Sequence, residues 1–170
     1  GYSMNKFKYI VFAATLGITH VACTVESAGV LGAKALTVEV IDVMWPKVKA
    51  RLTNNTNDTV VLWDDWNSWG WYTFELVVHP QIKSSPPITI RRKEAGFTGN
   101  FASGRKLASK AHRDFTINVF DGTWDTPATL ASLNDYDHIT VSYTIPDTPE
   151  AHKYGALVGM WKSPPFPLKK

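Results

Sequence analysis

The chain has one cysteine, Cys23, in 170 residues. A single thiol allows no internal disulfide, so the fold must be held by packing. Long hydrophobic runs are missing too. The most apolar stretch, Tyr9 to about Val25, is interrupted by Thr15, Thr19 and His20. It falls short of the roughly 18 continuous apolar residues of a membrane span. Net charge is only +3, an excess that implies little by itself about a partner. No long amphipathic helix and no repeat is legible, which argues against bundles and solenoids. No Gly-x-Ser-x-Gly elbow occurs, so a serine triad has no sequence handle. His79, His112, His138 and His152 show no paired ligand spacing, and the sequence offers neither a metal site nor a cofactor motif.

What is present reads as one domain. Hydrophobic residues make up 44% and charged residues 19%, which sets the chain apart from disordered sequences. Gly1–Ser3 ahead of Met4 read as a cloning remnant. Residues 4–35 then follow the order of an export signal and short linker: Lys6 and Lys8, the apolar stretch, and small residues with cleavage contexts at Val25-Glu26-Ser27 and at Ala33-Lys34-Ala35, an N-terminal core helix being the competing reading. Thr19-His20-Val21-Ala22-Cys23 resembles a bacterial lipoprotein box, which implies membrane attachment through a lipidated Cys23 if that thiol is retained. The expected location is secreted, periplasmic or on the cell envelope, with membrane contact only through this segment.

Residues 36–162 carry the period-2 pattern of strands. Leu36, Val38 and Val40 alternate with Thr37 and Glu39, and Val48, Ala50 and Leu52 alternate with Lys47, Lys49 and Arg51. Asn54–Asp58 is a turn, and Thr59–Trp63 is expected to return from it as the second arm of a hairpin. Further strands are expected at Phe74–Val78, Pro87–Arg92, Phe115–Val119, Ile139–Tyr143 and Ala156–Trp161. Residues 94–111 read as a long loop with at most a strand fragment near Phe97–Phe101. One helical turn is expected near Ala128–Leu133, and 163–170 as a flexible tail. The fold class is all-β, an antiparallel two-sheet sandwich of about seven to eight strands behind an N-terminal signal or helical segment. The strand-turn-strand of Val48–Leu62 and the strand Asp137–Tyr143 resemble immunoglobulin-like and fibronectin-III-like modules of secreted proteins. That resemblance implies the architecture and assigns no activity.

Two segments are candidate sites. Trp63, Asp64, Asp65, Trp66, Asn67, Trp69 and Trp71 combine flat aromatic faces with carboxylate and amide groups. This is the composition of a surface that binds a glycan or a protein partner, and equally of aromatic packing at the end of a sandwich. Residues 91–113 hold seven basic groups against Glu94 alone. Within them Arg91, Arg92, Lys93, Arg105 and Lys106 are a candidate anion site, with a solvated loop as the competing reading. An exported chain makes nucleic acid an unexpected partner. No catalytic residue is assigned. The expected function is a non-catalytic binding module. The alternatives are a sandwich-type protease inhibitor, whose strand-turn-strand Val48–Leu62 resembles, and a hydrolase using Asp64, Asp65 or Glu75. Asn54-Asn55-Thr56 and Asn57-Asp58-Thr59 both match the glycosylation acceptor pattern.

Overall fold

The computed structural model describes residues 34–168. Cys23 and all but the last two residues of the expected signal segment lie outside the described residues. Within them the chain is all-β, built from antiparallel sheets. The order is β1 (Leu36–Met44), β2 (Lys47–Asn54), β3 (Val60–Trp63), a one-turn helix α1 (Ser68–Trp71), β4 (Phe74–Pro80), β5 (Ile88–Arg91), β6 (Gly104–Leu107) and β7 (His112–Asn118). A 3-10 turn (Ala128–Leu130), β8 (Tyr136–Ile145), α2 (Pro149–Tyr154), β9 (Gly159–Lys162) and β10 (Phe166–Pro167) complete it.

One sheet has the order β1-β2-β7. The second has the order β10-β8-β4-β5, with β9 also paired to β8, and β3 and β6 form a separate two-stranded pair. Alternation decides what each strand buries. Val38, Val48, Ala50, Leu52 and Ile117 of the first sheet share one core with Leu76, Val78, Ile90, Ile139, Val141 and Tyr143 of the second. Fully burying such a side chain stabilises the fold by about 1.5–3 kcal/mol. A layered core of this kind needs no cross-link, and the arrangement is compatible with a sandwich.

Three expectations are corrected. The Asn-rich turn is not the tip of a hairpin: β2 pairs with β1 and β7, whereas β3 pairs with β6. The turn is an arch between separate sheets, held by the buried Asn54 amide, which donates to the carbonyls of Asp58, Leu107 and Ala108. The strand in 94–111 is not at Phe97–Phe101 but at Gly104–Leu107, where the backbone completes the ladder of β3. A Cβ at Gly104 would lie 2.4 Å from a Val61 methyl, so this close pairing requires glycine. The proline-rich tail is docked through Leu168. Ser163 pairs with Val141 through both its amide and its hydroxyl, and the Leu168 amide donates to Asp137. The side of β8 that β4 leaves open supplies these partners, and Pro167 is tolerated on the short edge strand β10.

The helix α2 has no counterpart in the sequence reading. Its signals are nevertheless present: Thr148 caps the Ala151 amide, Pro149 opens the first turn, and Gly155 closes it at φ 65°.

Candidate functional site

The tryptophan segment is tied down from both ends. Trp63 is 3% exposed and packs against Trp69 and Tyr154, with ring centroids 6.1 Å apart in each case. Asn67 is fully buried. Its Oδ1 accepts from the Gly70 amide at 2.9 Å and its Nδ2 donates to the Ser103 carbonyl at 3.0 Å. It therefore caps α1 and fastens it to the loop before β6. Asp64 accepts from the Ser103 hydroxyl at 2.7 Å and pairs with Arg105 at 3.2 Å. Gly70 sits so close to the Asp64 carbonyl that a Cβ would fall 1.9 Å from its oxygen. Trp66 alone among these tryptophans is strongly exposed, at 55%.

The basic stretch does not converge. Arg91 turns to the outer face of the second sheet and pairs with Glu75 at 2.5 Å. Arg105 is engaged by Asp64, and Lys93 and Lys106 point into solvent. Arg92 behaves differently. It follows Arg91 on the opposite phase, so it points inward. Its guanidinium carbon lies 4.2 Å from the ring centre of Trp71 and 4.4 Å from that of Trp124. Cations held this way are attracted by the ring faces. Partial burial lowers the pKa of Arg92 from its ordinary value, an effect that Asp121 and Asp65 oppose. Its Nη1 donates to the Thr123 hydroxyl. Among the described residues no carboxylate forms an ion pair with it.

These groups line a cleft of about 180 Å³ between β7 and the segment that follows β5, the edges of the two sheets. The other wall comes from the inward face of β7. Arg113 lies over the Phe115 ring at 4.4 Å, and its Nη2 stands 3.9 Å from Asp65 at the rim. Its Nη1 is buried with no hydrogen-bond partner among the described residues, as is the Trp124 indole nitrogen. Buried donors of this kind are uncommon, because each forfeits its hydration. The cleft is therefore lined by two arginines set among the rings of Trp71, Phe115 and Trp124.

Compared with protein-family models, with curated proteins and with solved structures, the chain matches none. Function must be argued from the site itself.

Of the two expected groups, Asp65 and Trp71 from one and Arg92 from the other meet in this cleft; the remainder are engaged elsewhere or solvated. Sequence reasoning missed Trp124, and it left Arg113 out of the anion group. Arg113 had a signal: it shares the phase of Phe115 and Ile117, so an arginine occupies an inward position. Trp124 lies in a connector after the Asp121–Gly122 turn and carries no period to read.

Glu75, Asp64 and Asp65 each stand beside a different arginine: Arg91, Arg105 and Arg113. The fold does join two histidines that the sequence keeps apart. His79 and His138 stack with centroids 4.1 Å apart on the outer face of the second sheet, and Asp137 holds His138 at 2.9 Å. Among the described residues no three His, Cys, Asp or Glu side chains gather as metal ligands. The two glycosylation patterns also separate: Asn54 is buried and bonded, whereas Asn57 is exposed. Among the described residues no helix is long and apolar enough to cross a membrane.

Proposed function

We propose that this chain is an exported, non-catalytic binding module, an immunoglobulin-like sandwich whose recognition element is the cleft between β7 and the segment after β5. What it binds carries negative charge. The observation behind this reading is the half-buried Arg92 guanidinium, held by Trp71 and Trp124 without a carboxylate partner, beside Arg113 with its unpartnered Nη1. A desolvated, preorganised guanidinium binds an oxyanion more strongly than a surface lysine does, because its donors form a fixed fork. Export rests on the order of Lys6, Lys8, the apolar stretch and the small residues. The immunoglobulin-like topology is supported by the β2–β3 arch, which carries the chain between sheets. A non-catalytic role is supported by three candidate carboxylates that are each tied to an arginine.

The test is binding of the full chain to polyglutamate, to a polyuronate and to a neutral glucan, at low and at high salt. Polyanion binding that weakens with salt and is lost in Arg92→Gln is expected. Binding only to the neutral glucan, or polyanion binding unchanged in Arg92→Gln, would overturn the reading.

A further inference from the structure

The cleft's own dimensions and charges narrow the partner, and this inference rests on the anion-binding reading above. One of the two arginines at the cleft has no carboxylate in ion-pair contact among the described residues. Asp65 stands beside Arg113, and Asp114, also at the cleft, is turned to Arg51 and Lys49 at 2.7 and 3.4 Å. Arg92 feels Asp121 and Asp65 at longer range but touches neither in an ion pair among the described residues, which leaves its donors a match for one carboxylate rather than for a phosphate dianion. The volume is small. At about 180 Å³ it lies below the roughly 300–1,000 Å³ of pockets that enclose a whole small-molecule ligand. One face of each of three lining rings is covered by an arginine: Arg92 lies over Trp71 and Trp124, and Arg113 over Phe115. Those covered faces give a pyranose no stacking surface. Exposed aromatic residues adjacent in the chain to the cleft's lining favour a protein. Trp66 and Tyr72 follow the lining residues Asp65 and Trp71 directly in the chain, and they are 55% and 49% exposed. Exposed aromatic side chains beside a charged pocket are the usual anchors of a protein interface.

We infer that the cleft is the socket for a single Asp or Glu side chain of a protein partner, whose carboxylate pairs with Arg92 while Trp66 and Tyr72 pack against the flanking surface. Arg92 has donors to spare for this pairing. Its Nη1 is used by Thr123, and its Nε and Nη2 donate to no described residue. Those two groups form the edge that takes a carboxylate bidentately.

The test follows the indole N–H signals of the full chain by NMR during titration with propionate, which is the glutamate side chain in isolation. Propionamide, glucuronate and inorganic phosphate are the comparison probes. Propionate is expected to shift the Trp71 and Trp124 signals saturably, with propionamide and phosphate leaving them in place and glucuronate binding more weakly. Arg92→Gln, checked for fold by circular dichroism, should weaken propionate about tenfold or more, the size of a charge-assisted hydrogen bond. If that variant does not fold, Arg92→Lys keeps the charge without the fork and should weaken binding severalfold. A propionamide response equal to that of propionate would overturn the socket, as would undiminished propionate binding in the folded variant. Tighter Arg92-dependent binding of phosphate or glucuronate would overturn the acidic side chain as partner while leaving the cleft an anion site. If no anion shifts the two indoles, both readings fall.

Discussion

Asn54 should be the costliest polar residue to replace among the described residues. Its side chain is fully buried. The Nδ2 group donates to the carbonyls of Asp58, Leu107 and Ala108 at 2.8, 3.1 and 3.0 Å. Oδ1 accepts from the amide and hydroxyl of Thr56 at 2.9 and 2.8 Å. Two N–H donors serve three carbonyls, so one bond is shared. Asn54→Ala removes every one of these contacts. At a net value of about 1 kcal/mol per hydrogen bond, with water recovering the outer groups, the loss is about 3 kcal/mol. Asn54→Asp keeps the shape but sets carboxylate oxygens against carbonyl oxygens and buries a charge, so it should cost more than Ala at neutral pH. Urea unfolding of the full chain measures both. Melting should fall by about 6–12 °C for the alanine variant. A loss below about 1 kcal/mol, or an aspartate variant as stable as the alanine one, would refute the argument that this amide clasps the arch.

Two further outcomes follow from burial and charge. Trp66→Ala should change stability by less than about 0.5 kcal/mol, because its ring is exposed. Trp69→Ala, which strips packing from Trp63, should cost about 2 kcal/mol. Thermal melts giving the reverse order would contradict the placement of these rings. The pH dependence has two signed parts. Arg51 and then Lys49 hold Asp114 down to about 2, so its stabilising effect is full above the ordinary value near ~4 and is lost as pH falls towards 2. Asp114→Asn should flatten that limb of a plot of urea midpoint against pH. Burial, then His138 and Lys162, keep the His79 pKa below its ordinary value. The folded state therefore resists protonation there. Stability is unaffected above ~6.5 and declines as pH drops below it. His79→Gln should abolish that decline, and a wild-type midpoint that rises from pH 7 to 5 relative to the variant would contradict the sign.

The amino-acid order by itself determined the strands and what they bury. Leu36-Val38-Val40, Val48-Ala50-Leu52 and Phe74-Leu76-Val78 reach the core because the side-chain period of a strand is 2 and one face must leave water. The break at Pro46, the turn at Asn54–Asp58 and the 3-10 turn at Ala128–Leu130 are equally local, set by residues that bond or constrain their own backbone. Which strand pairs with which is not local. The pattern of Val48–Leu62 is the same for a hairpin and for an arch; the choice fell to the arch because β7 and β6 supply partner backbones from far along the chain. The cleft belongs to that second kind of fact. Arg92 and Arg113 stand inward by phase, which the order does encode. That Arg92 meets Trp71 and Trp124, that Asp65 stands opposite Arg113, and that His79 lies on His138 were decided only when the sheets closed. Those contacts join residues whose separation along the chain carries no periodic signal, and only tertiary packing sets the distance between them.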